Sequence, residues 1–174
     1  EGYTGEIVAN YTYQMNLNTS FSGDDNLYVR LKSGNATKNV DPFATAADGS
    51  YLSSTNTYAD VLKIDKIWYE FPVGDNHTFW VGPKIENYYM HGATPSIYSP
   101  TLKQFKLGGN GAAYGASTNT GIGWAYNADT GFSISSNVVS KTAGATTGFL
   151  SDESATNWST QVAYTTDSYH LSLI

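Results

Sequence analysis

The sequence predicts an all-β fold, an antiparallel up-and-down transmembrane β-barrel, in a single domain spanning residues 1–174. Three observations lead to this prediction. Segments in which apolar and polar residues alternate with period 2 recur along the chain, as in β-strands with two different faces. Short and long connections alternate strictly between these segments. Only 14% of the residues are charged, against about 25% in an average protein.

The composition narrows the class of protein before any element is assigned. Aromatic residues are plentiful, with 14 Tyr among them, whereas disordered chains are poor in aromatics. The net charge of -6 and the pI of about 4.8 argue against nucleic acid as a partner, because phosphate binding needs a basic face. The sequence has no Cys and no apolar run of about 18 residues, so it predicts neither disulfides nor a transmembrane helix.

The first predicted strand runs over residues 7–21 and decides the fold class. Its odd positions, such as Tyr13 and Leu17, are mainly apolar or aromatic, whereas its even positions, such as Gln14 and Asn16, are mostly neutral and polar. The strand exceeds the usual maximum of about 10 residues. Such strands suit a tilted membrane crossing with extensions beyond the lipid. A half-buried strand of a soluble β-sandwich is the alternative.

Seven further strands follow from the same alternation. They are predicted over residues 27–32, 58–73, 78–84, 122–127, 132–139, 158–165 and 169–173. The strand over 58–73 changes phase, because Ile64 and Ile67 belong to apolar runs on opposite faces. A β-bulge near Asp65 and Lys66 would reconcile the two runs.

The connections between these strands sort into two kinds. Tight turns are predicted at 22–26, 74–76, 127–131 and 166–168, and long connections at 34–57, 86–119 and 141–156. The tight turns are rich in Gly, Asp and Asn, which accept turn conformations at little cost. Short turns on one side and long loops on the other are typical of outer-membrane barrels.

Aromatic residues concentrate near the predicted strand ends. Those beside the tight turns are Phe71, Phe79, Trp80, Tyr126 and Phe132, and those toward the other ends are Tyr11, Tyr58 and Trp158. Membrane barrels carry aromatic girdles at both interfaces. The ordinary preference of aromatics for strands is the alternative explanation.

No residue pattern predicts catalysis, a cofactor or a metal site. His77, His91 and His170 have no metal-ligand spacing. The acidic turn around Asp24 and Asp25 lacks the Glu that a calcium loop needs. We therefore expect a protein that is not an enzyme.

Two stretches resemble a known family. Residues 15–35, MNLNTSFSGDDNLYVRLKSGN, are similar to the pattern LNLDTSFTGKDLLRTRLQAGN of the cyanobacterial outer-membrane porins, which are related to the carbohydrate-selective OprB-like porins. Residues 62–75, LKIDKIWYEFPVGD, are similar to the family pattern ELDKLYYRFPLGD in the same order and at a matching separation. Residues 121–127, GIGWAYN, resemble a later strand, GVGLNY, more weakly.

This resemblance implies a passive diffusion channel of about 16 strands per subunit in the cell outer membrane, assembled as a homotrimer. It also implies an upstream surface-layer-homology domain. Because the chain stops at Ile174 within a strand, without a terminal aromatic residue, we expect it to carry roughly the first half of such a barrel. The expected partners are membrane lipid and permeating small solutes, including sugars and inorganic ions.

Polar positions of the early strands are the candidates for the pore lining. The neutral candidates are Asn10, Thr12, Gln14, Asn16 and Asn18, and the charged ones are Arg30, Lys32, Lys63, Asp65 and Glu70. Neutral amides and hydroxyls favour general permeability, while facing rows of opposite charge would create a transverse field. Glu70 stands where the family often has a basic residue, a departure from a pattern that would favour anions.

The long connection 86–119 is the candidate constriction, because ordered loops longer than about 12–15 residues are usually functional. Its candidate residues are Tyr88, Tyr89, His91, Tyr98, Lys103 and Lys106. We expect it to fold into the lumen, and a lid between subunits is the alternative. Two other functions stay open at this point: a soluble β-sandwich that binds glycans as an adhesin, and a structural membrane barrel that conducts nothing.

Overall fold

The computed structural model describes residues 9–35, 58–94, 118–141 and 148–174. These residues form eight strands and a 3₁₀-helix at Asn87–Met90. The strands are β1 (Thr12–Thr19), β2 (Asn26–Gly34), β3 (Lys63–Val73), β4 (His77–Glu86), β5 (Thr118–Asn127), β6 (Phe132–Ser140), β7 (Thr156–Thr165) and β8 (His170–Leu173). No helix in these ranges is both long enough and apolar enough to cross a membrane.

The eight strands form one antiparallel sheet in the order β1 to β8, so every strand pairs with its neighbours along the chain. The predictions of an all-β chain, of eight strands and of an up-and-down order are therefore confirmed. The sheet is open, with β1 and β8 at its two edges. All the tight turns lie at the same ends of the strands, a side of the sheet that we call the tight-turn edge. The long connections leave from the opposite ends of the strands, a side that we call the long-connection edge.

The two faces of the sheet differ in chemistry because the side chains alternate along each strand. One face carries Arg30, Asn137 and Gln161, and we call it the polar face. On β6 and β7 the polar face is the buried one, as the alternating burial of both strands shows. The opposite face carries residues such as Val29 and Ile122, and we call it the apolar face.

Many large side chains of the apolar face are exposed, whereas those of β2 are half-buried. Trp158 is 75% exposed, Leu171 is 65% exposed and Ile122 is 46% exposed. A sheet that is half solvated normally turns its polar side chains outward and buries its apolar ones. On β6 and β7 the sheet does the reverse, although an apolar cluster that includes Trp68, Trp80 and Ile85 is also buried on the polar face.

Aromatic rings on the apolar face form a band near the tight-turn edge. Ring contacts join Phe21 to Tyr69, Tyr69 to Phe71 and Phe71 to Phe79, with centroids 6.2, 5.5 and 5.7 Å apart. Farther along the sheet, His77 lies 5.8 Å from Trp124 and 5.1 Å from Tyr126, and Tyr164 lies 6.3 Å from Tyr169. We call this set the aromatic band.

Two of the aromatic residues singled out in the sequence lie outside the aromatic band. Trp80 does not join the band but lies buried on the polar face, where its indole N–H donates to Glu70 Oε2 at 2.9 Å. Tyr58 precedes β3 and donates its hydroxyl to Asp65 Oδ1 at 2.7 Å. In both cases a carboxylate on the polar face gives the polar atom of the ring a partner that lipid could not supply.

The expected length of the first strand is also wrong. Residues 9–11 are described but form no strand, and β1 ends at Thr19 rather than Phe21. The Asp25 carboxylate ends the strand, because it accepts hydrogen bonds from the backbone N–H groups of Phe21 and Ser22 at 3.0 and 2.7 Å. These N–H groups are thereby removed from the ladder with β2.

The predicted bulge is confirmed. Arg30 pairs with Lys66 and Leu31 pairs with Ile64, so Asp65 is the extra residue. A second irregularity between Gly82 and Ile85 was not predicted, and it accompanies a β4 that is longer than expected. Gly82 is required there, because a Cβ atom would lie 2.5 Å from Trp68 Cβ.

Candidate functional site

Most of the predicted pore-lining residues lie on one wall, the polar face of β1, β2 and β3. Asn16 pairs with Arg30, which pairs with Lys66, and Gln14 pairs with Lys32. Paired residues project from the same side of an antiparallel sheet. The full set on this wall is Thr12, Gln14, Asn16, Asn18, Arg30, Lys32, Lys63, Asp65 and Glu70. Asn10 lies before β1, outside the sheet.

Arg30 and Asp65 form the first ion pair of this wall. Arg30 Nη2 lies 2.6 Å from Asp65 Oδ2, and Arg30 Nε donates to the same oxygen at 2.6 Å. The bulge at Asp65 turns its carboxylate toward Arg30, and Tyr58 donates to the second oxygen. Arg30 also donates to the Tyr89 hydroxyl at 3.3 Å, which connects the wall to the long connection 86–119.

Lys66 and Glu86 form the second ion pair, with Nζ and Oε1 2.6 Å apart. Thr118 donates to Glu86 Oε1 at 3.1 Å, and the Tyr88 hydroxyl donates to Glu86 Oε2. Burial raises the pKa of Tyr88 well above its usual value, and the Glu86 charge adds to this shift, so the hydroxyl stays protonated. Sequence reasoning assigned Lys66 only to the bulge and missed its place on the wall.

The start of the long connection 86–119 crosses the polar face of β5, β6 and β7. We call residues 87–94 the crossing segment. Asn137 Nδ2 donates to the Asn87 carbonyl at 3.2 Å, and the Gly92 N–H donates to Ser135 Oγ at 2.9 Å. The Gln161 side chain clamps the backbone of Ala93, accepting from its N–H at 3.1 Å and donating to its carbonyl at 2.9 Å. The sheet therefore satisfies the backbone of this irregular segment with its own polar side chains.

Small residues on β5 make room for the crossing segment. A Cβ atom on Gly123 would lie 2.6 Å from Met90 Sδ, and Met90 itself is fully buried. Gly121, Gly123 and Ala125 follow each other at period 2 and face the same way. This run was the available signal that another piece of backbone approaches the strand closely, and sequence reasoning missed it.

Aromatic rings join the crossing segment to the charged wall. Tyr28 and Trp68 have ring centroids 4.1 Å apart, Trp68 and Tyr89 are 4.9 Å apart, and Tyr89 and Tyr88 are 4.8 Å apart. The Tyr28 hydroxyl donates to Asn16 Oδ1 at 2.8 Å. The stack thus runs from β2 to the 3₁₀-helix and places Tyr89, which is 37% exposed, beside Arg30.

The predicted constriction residues divide into two groups. Tyr88, Tyr89 and His91 lie in the crossing segment, against the polar face. Burial lowers the pKa of His91, which favours a neutral ring. Tyr98, Lys103 and Lys106 lie outside the described residues.

The arrangement can bind and select by hydrogen bonding and charge. The polar face carries charged pairs on β2, β3 and β4, and neutral hydroxyls and amides on β6 and β7 that hold the crossing segment. Within the described ranges, no three His, Asp or Glu side chains gather closely enough to hold a metal ion.

No protein-family model matches the chain, and no curated protein or solved structure matches it. The site is therefore interpreted from its own geometry.

Proposed function

We propose that the chain forms the wall of an outer-membrane porin, a passive diffusion channel for small hydrophilic solutes and inorganic ions. In this proposal the apolar face contacts lipid and the polar face lines a water-filled lumen. The sheet supplies strands of a transmembrane barrel, and the crossing segment narrows the lumen. A homotrimer is part of the proposal, as in the family that the sequence resembles.

The observation that carries the proposal is the inverted sheet. Large apolar side chains such as Trp158 and Leu171 are exposed on one face, while Ser135, Asn137 and Gln161 are at most 2% exposed on the other. In water this arrangement wastes the free energy of burying the apolar face, about 25 cal/mol for each Å² of apolar surface. In a bilayer the apolar face would be satisfied by hydrocarbon, and the polar side chains would face the lumen side of the wall, where they hold the crossing segment.

The dimensions of the strands support a membrane crossing. Six of the seven strands from β1 to β7 contain 9–11 residues, and β1 contains eight. A tilted transmembrane strand needs about 9–11 residues. The aromatic band stands where the interfacial girdle of a membrane barrel would lie.

The mechanism needs no covalent step. A solute that enters the lumen exchanges water for the hydroxyls, amides and ion pairs of the polar face, and the crossing segment limits the width of the path. Tyr88 and Tyr89 present rings and hydroxyls beside the Arg30–Asp65 and Lys66–Glu86 pairs. A polar solute meets donors and acceptors there without a deep binding well, so it can leave again.

A structural membrane barrel without a conducting lumen is the second candidate. The observation that favours it is the close packing of the crossing segment on the polar face, where Met90 and Asn87 are fully buried. A barrel filled in this way would insert into lipid and pass no current.

Planar-bilayer recording of the purified full chain tests the proposal. Stepwise currents support a porin, and insertion without current supports the structural barrel. Solubility without detergent, together with no insertion, would overturn both. Replacing residues 87–117 by a short Gly-Ser linker should raise the single-channel conductance, because the constriction is removed, and an unchanged conductance would contradict its placement in the lumen.

A further inference from the structure

The basic side chains of the described residues are sorted along the strand direction, whereas carboxylates lie near both ends of the strands. Each tight turn carries at least one Asp, and Glu70 lies in the half of β3 that leads to a tight turn. The carboxylates of this half are Asp24, Asp25, Glu70, Asp75, Asp129 and Asp167. Among the described residues, this half contains neither Lys nor Arg.

Among the described residues, the basic side chains all lie toward the long-connection edge, which also carries the carboxylates Asp60, Asp152 and Glu153. Arg30 and Lys32 are in the later half of β2, Lys63 and Lys66 are in the first residues of β3, and Lys84 is near the end of β4. Asp65 and Glu86 are the carboxylates that pair with this set. On the polar face near this edge, Arg30, Lys32, Lys63 and Lys66 outnumber Asp65 and Glu86, although the whole chain has a net charge of -6.

Most of the acidic side chains in the tight turns are available to solvent. Asp75, Asp129 and Asp167 are exposed. Asp25 is buried at the turn, and hydrogen bonds from Ser20 and Ser22 hold its pKa far below the usual range, so it stays ionised. A charged entrance with low-dielectric walls concentrates counter-ions near it.

We propose that this sorting makes the channel an electrostatic rectifier, with a cation-attracting mouth at the tight-turn edge and an anion-attracting zone near the long-connection edge. This inference rests on the proposed porin function. The current is larger when the tight-turn side is at positive potential. Cations then enter through the negative mouth and anions through the positive zone, so both accumulate inside the lumen. The opposite polarity draws both kinds of ion away from the middle and depletes it.

The orientation of the inserted channel has to be known to test the sign. The chain has no Cys, so Ser168→Cys places a unique thiol in the exposed turn between β7 and β8. A membrane-impermeant thiol reagent added to one side then identifies the side on which the tight turns lie. Recording is done on this tagged full chain.

At about 0.1 M salt we expect the currents at the two polarities to differ by about 1.5-fold or more. At about 1 M salt the ratio of the two currents should fall to one, because the Debye length shrinks from about 10 Å to about 3 Å. The triple variant Asp75→Asn, Asp129→Asn and Asp167→Asn should lose most of the asymmetry. Asp152→Asn, which removes an exposed carboxylate from the other edge, is the matched control and should keep it.

The possible outcomes separate the two proposals. No current under any condition overturns the porin itself. A current that is equal at both polarities in about 0.1 M salt, or larger with the tight-turn side negative, overturns the rectifier and leaves the porin standing. Loss of the asymmetry in Asp152→Asn but not in the triple variant would also overturn it.

Discussion

The two hydrogen bonds between Gln161 and the Ala93 backbone give the most direct test of whether the crossing segment is docked on the polar face. Gln161→Leu keeps a side chain of roughly similar volume but removes the amide that makes two hydrogen bonds, of 3.1 and 2.9 Å, to the Ala93 backbone. The Gln161 side chain is 1% exposed, so water has poor access to replace it. The variant should weaken the docking of the segment while leaving the pairing of β6 and β7 in place.

The magnitude follows from the two lost hydrogen bonds. Each contributes about 1 kcal/mol net, and a buried group left without a partner costs about 1–3 kcal/mol. Because Ala93 is only half-buried, we take the lower part of this range, about 2–3 kcal/mol in all. Local opening of the segment should then become about 30–150-fold more frequent, since about 1.4 kcal/mol corresponds to a factor of ten.

Hydrogen–deuterium exchange of the peptide covering residues 87–94 measures this opening directly. Gln14→Leu is the matched control, because it makes the same change on the polar face of β1, far along the sheet from the segment. Unchanged exchange in Gln161→Leu would refute the clamp. Equal increases in the two variants would show that the effect is not local to the segment.

Three further perturbations test the turn, the apolar face and the charged wall. Asp25→Asn should make the free energy of unfolding depend less on pH in the acid range. Because the folded-state pKa of Asp25 is lowered, its carboxylate stabilises the fold fully above the ordinary pKa of about 3.9, and this stabilisation is lost as pH falls below it. Thermal unfolding in the acid range measures the difference. Ile122→Arg should cost about 2–4 kcal/mol in refolding into lipid vesicles if the apolar face lies in hydrocarbon. Arg30→Gln combined with Lys32→Gln should shift the reversal potential in a salt gradient toward that of cations, because two positive charges leave the wall.

Each of these has a control on the same chain. Asp24→Asn changes the exposed neighbour of Asp25 and should keep the acid profile. Thr130→Arg puts the same charge in a tight turn, where we expect a cost of about 0–1 kcal/mol. Lys141→Gln removes a cation from a connection rather than from the wall and should move the reversal potential less. An Ile122→Arg variant that refolds as well as the Thr130→Arg variant would contradict a lipid-facing surface.

Alternation of residue types predicted the strands because each strand has two chemically different faces. The bulge at Asp65 could be predicted for the same reason, since Ile64 and Ile67 fall out of phase. The end of β1 could not, because it depends on the contact of Asp25 with backbone groups three and four residues earlier. The alternation of residue types carries no information about hydrogen bonds between a side chain and nearby backbone N–H groups.

The candidate site was predicted less completely than the fold. The wall of β1 and β2 follows from register within one hairpin, in which Asn16 pairs with Arg30. The crossing segment instead uses partners far away in the chain, such as Gln161, which is 68 positions beyond Ala93. Predicting that contact requires the pairing of β4 to β7 first. Trp80 lies on the polar face opposite Glu70 of the same hairpin, a pairing that the position of Trp80 near a turn does not reveal.

The nearest-neighbour order of the sheet has a consequence for assembly. Each tight turn closes a hairpin over only a few residues, so the entropy cost of forming these pairs is small. The docking surface of the crossing segment, by contrast, exists only after β5, β6 and β7 have paired, because Asn137, Ser135 and Gln161 come from two strands that β5 must first align. During refolding, the amides of residues 87–94 should therefore gain protection later than those of the hairpins, and the interior of the molecule takes its final shape last.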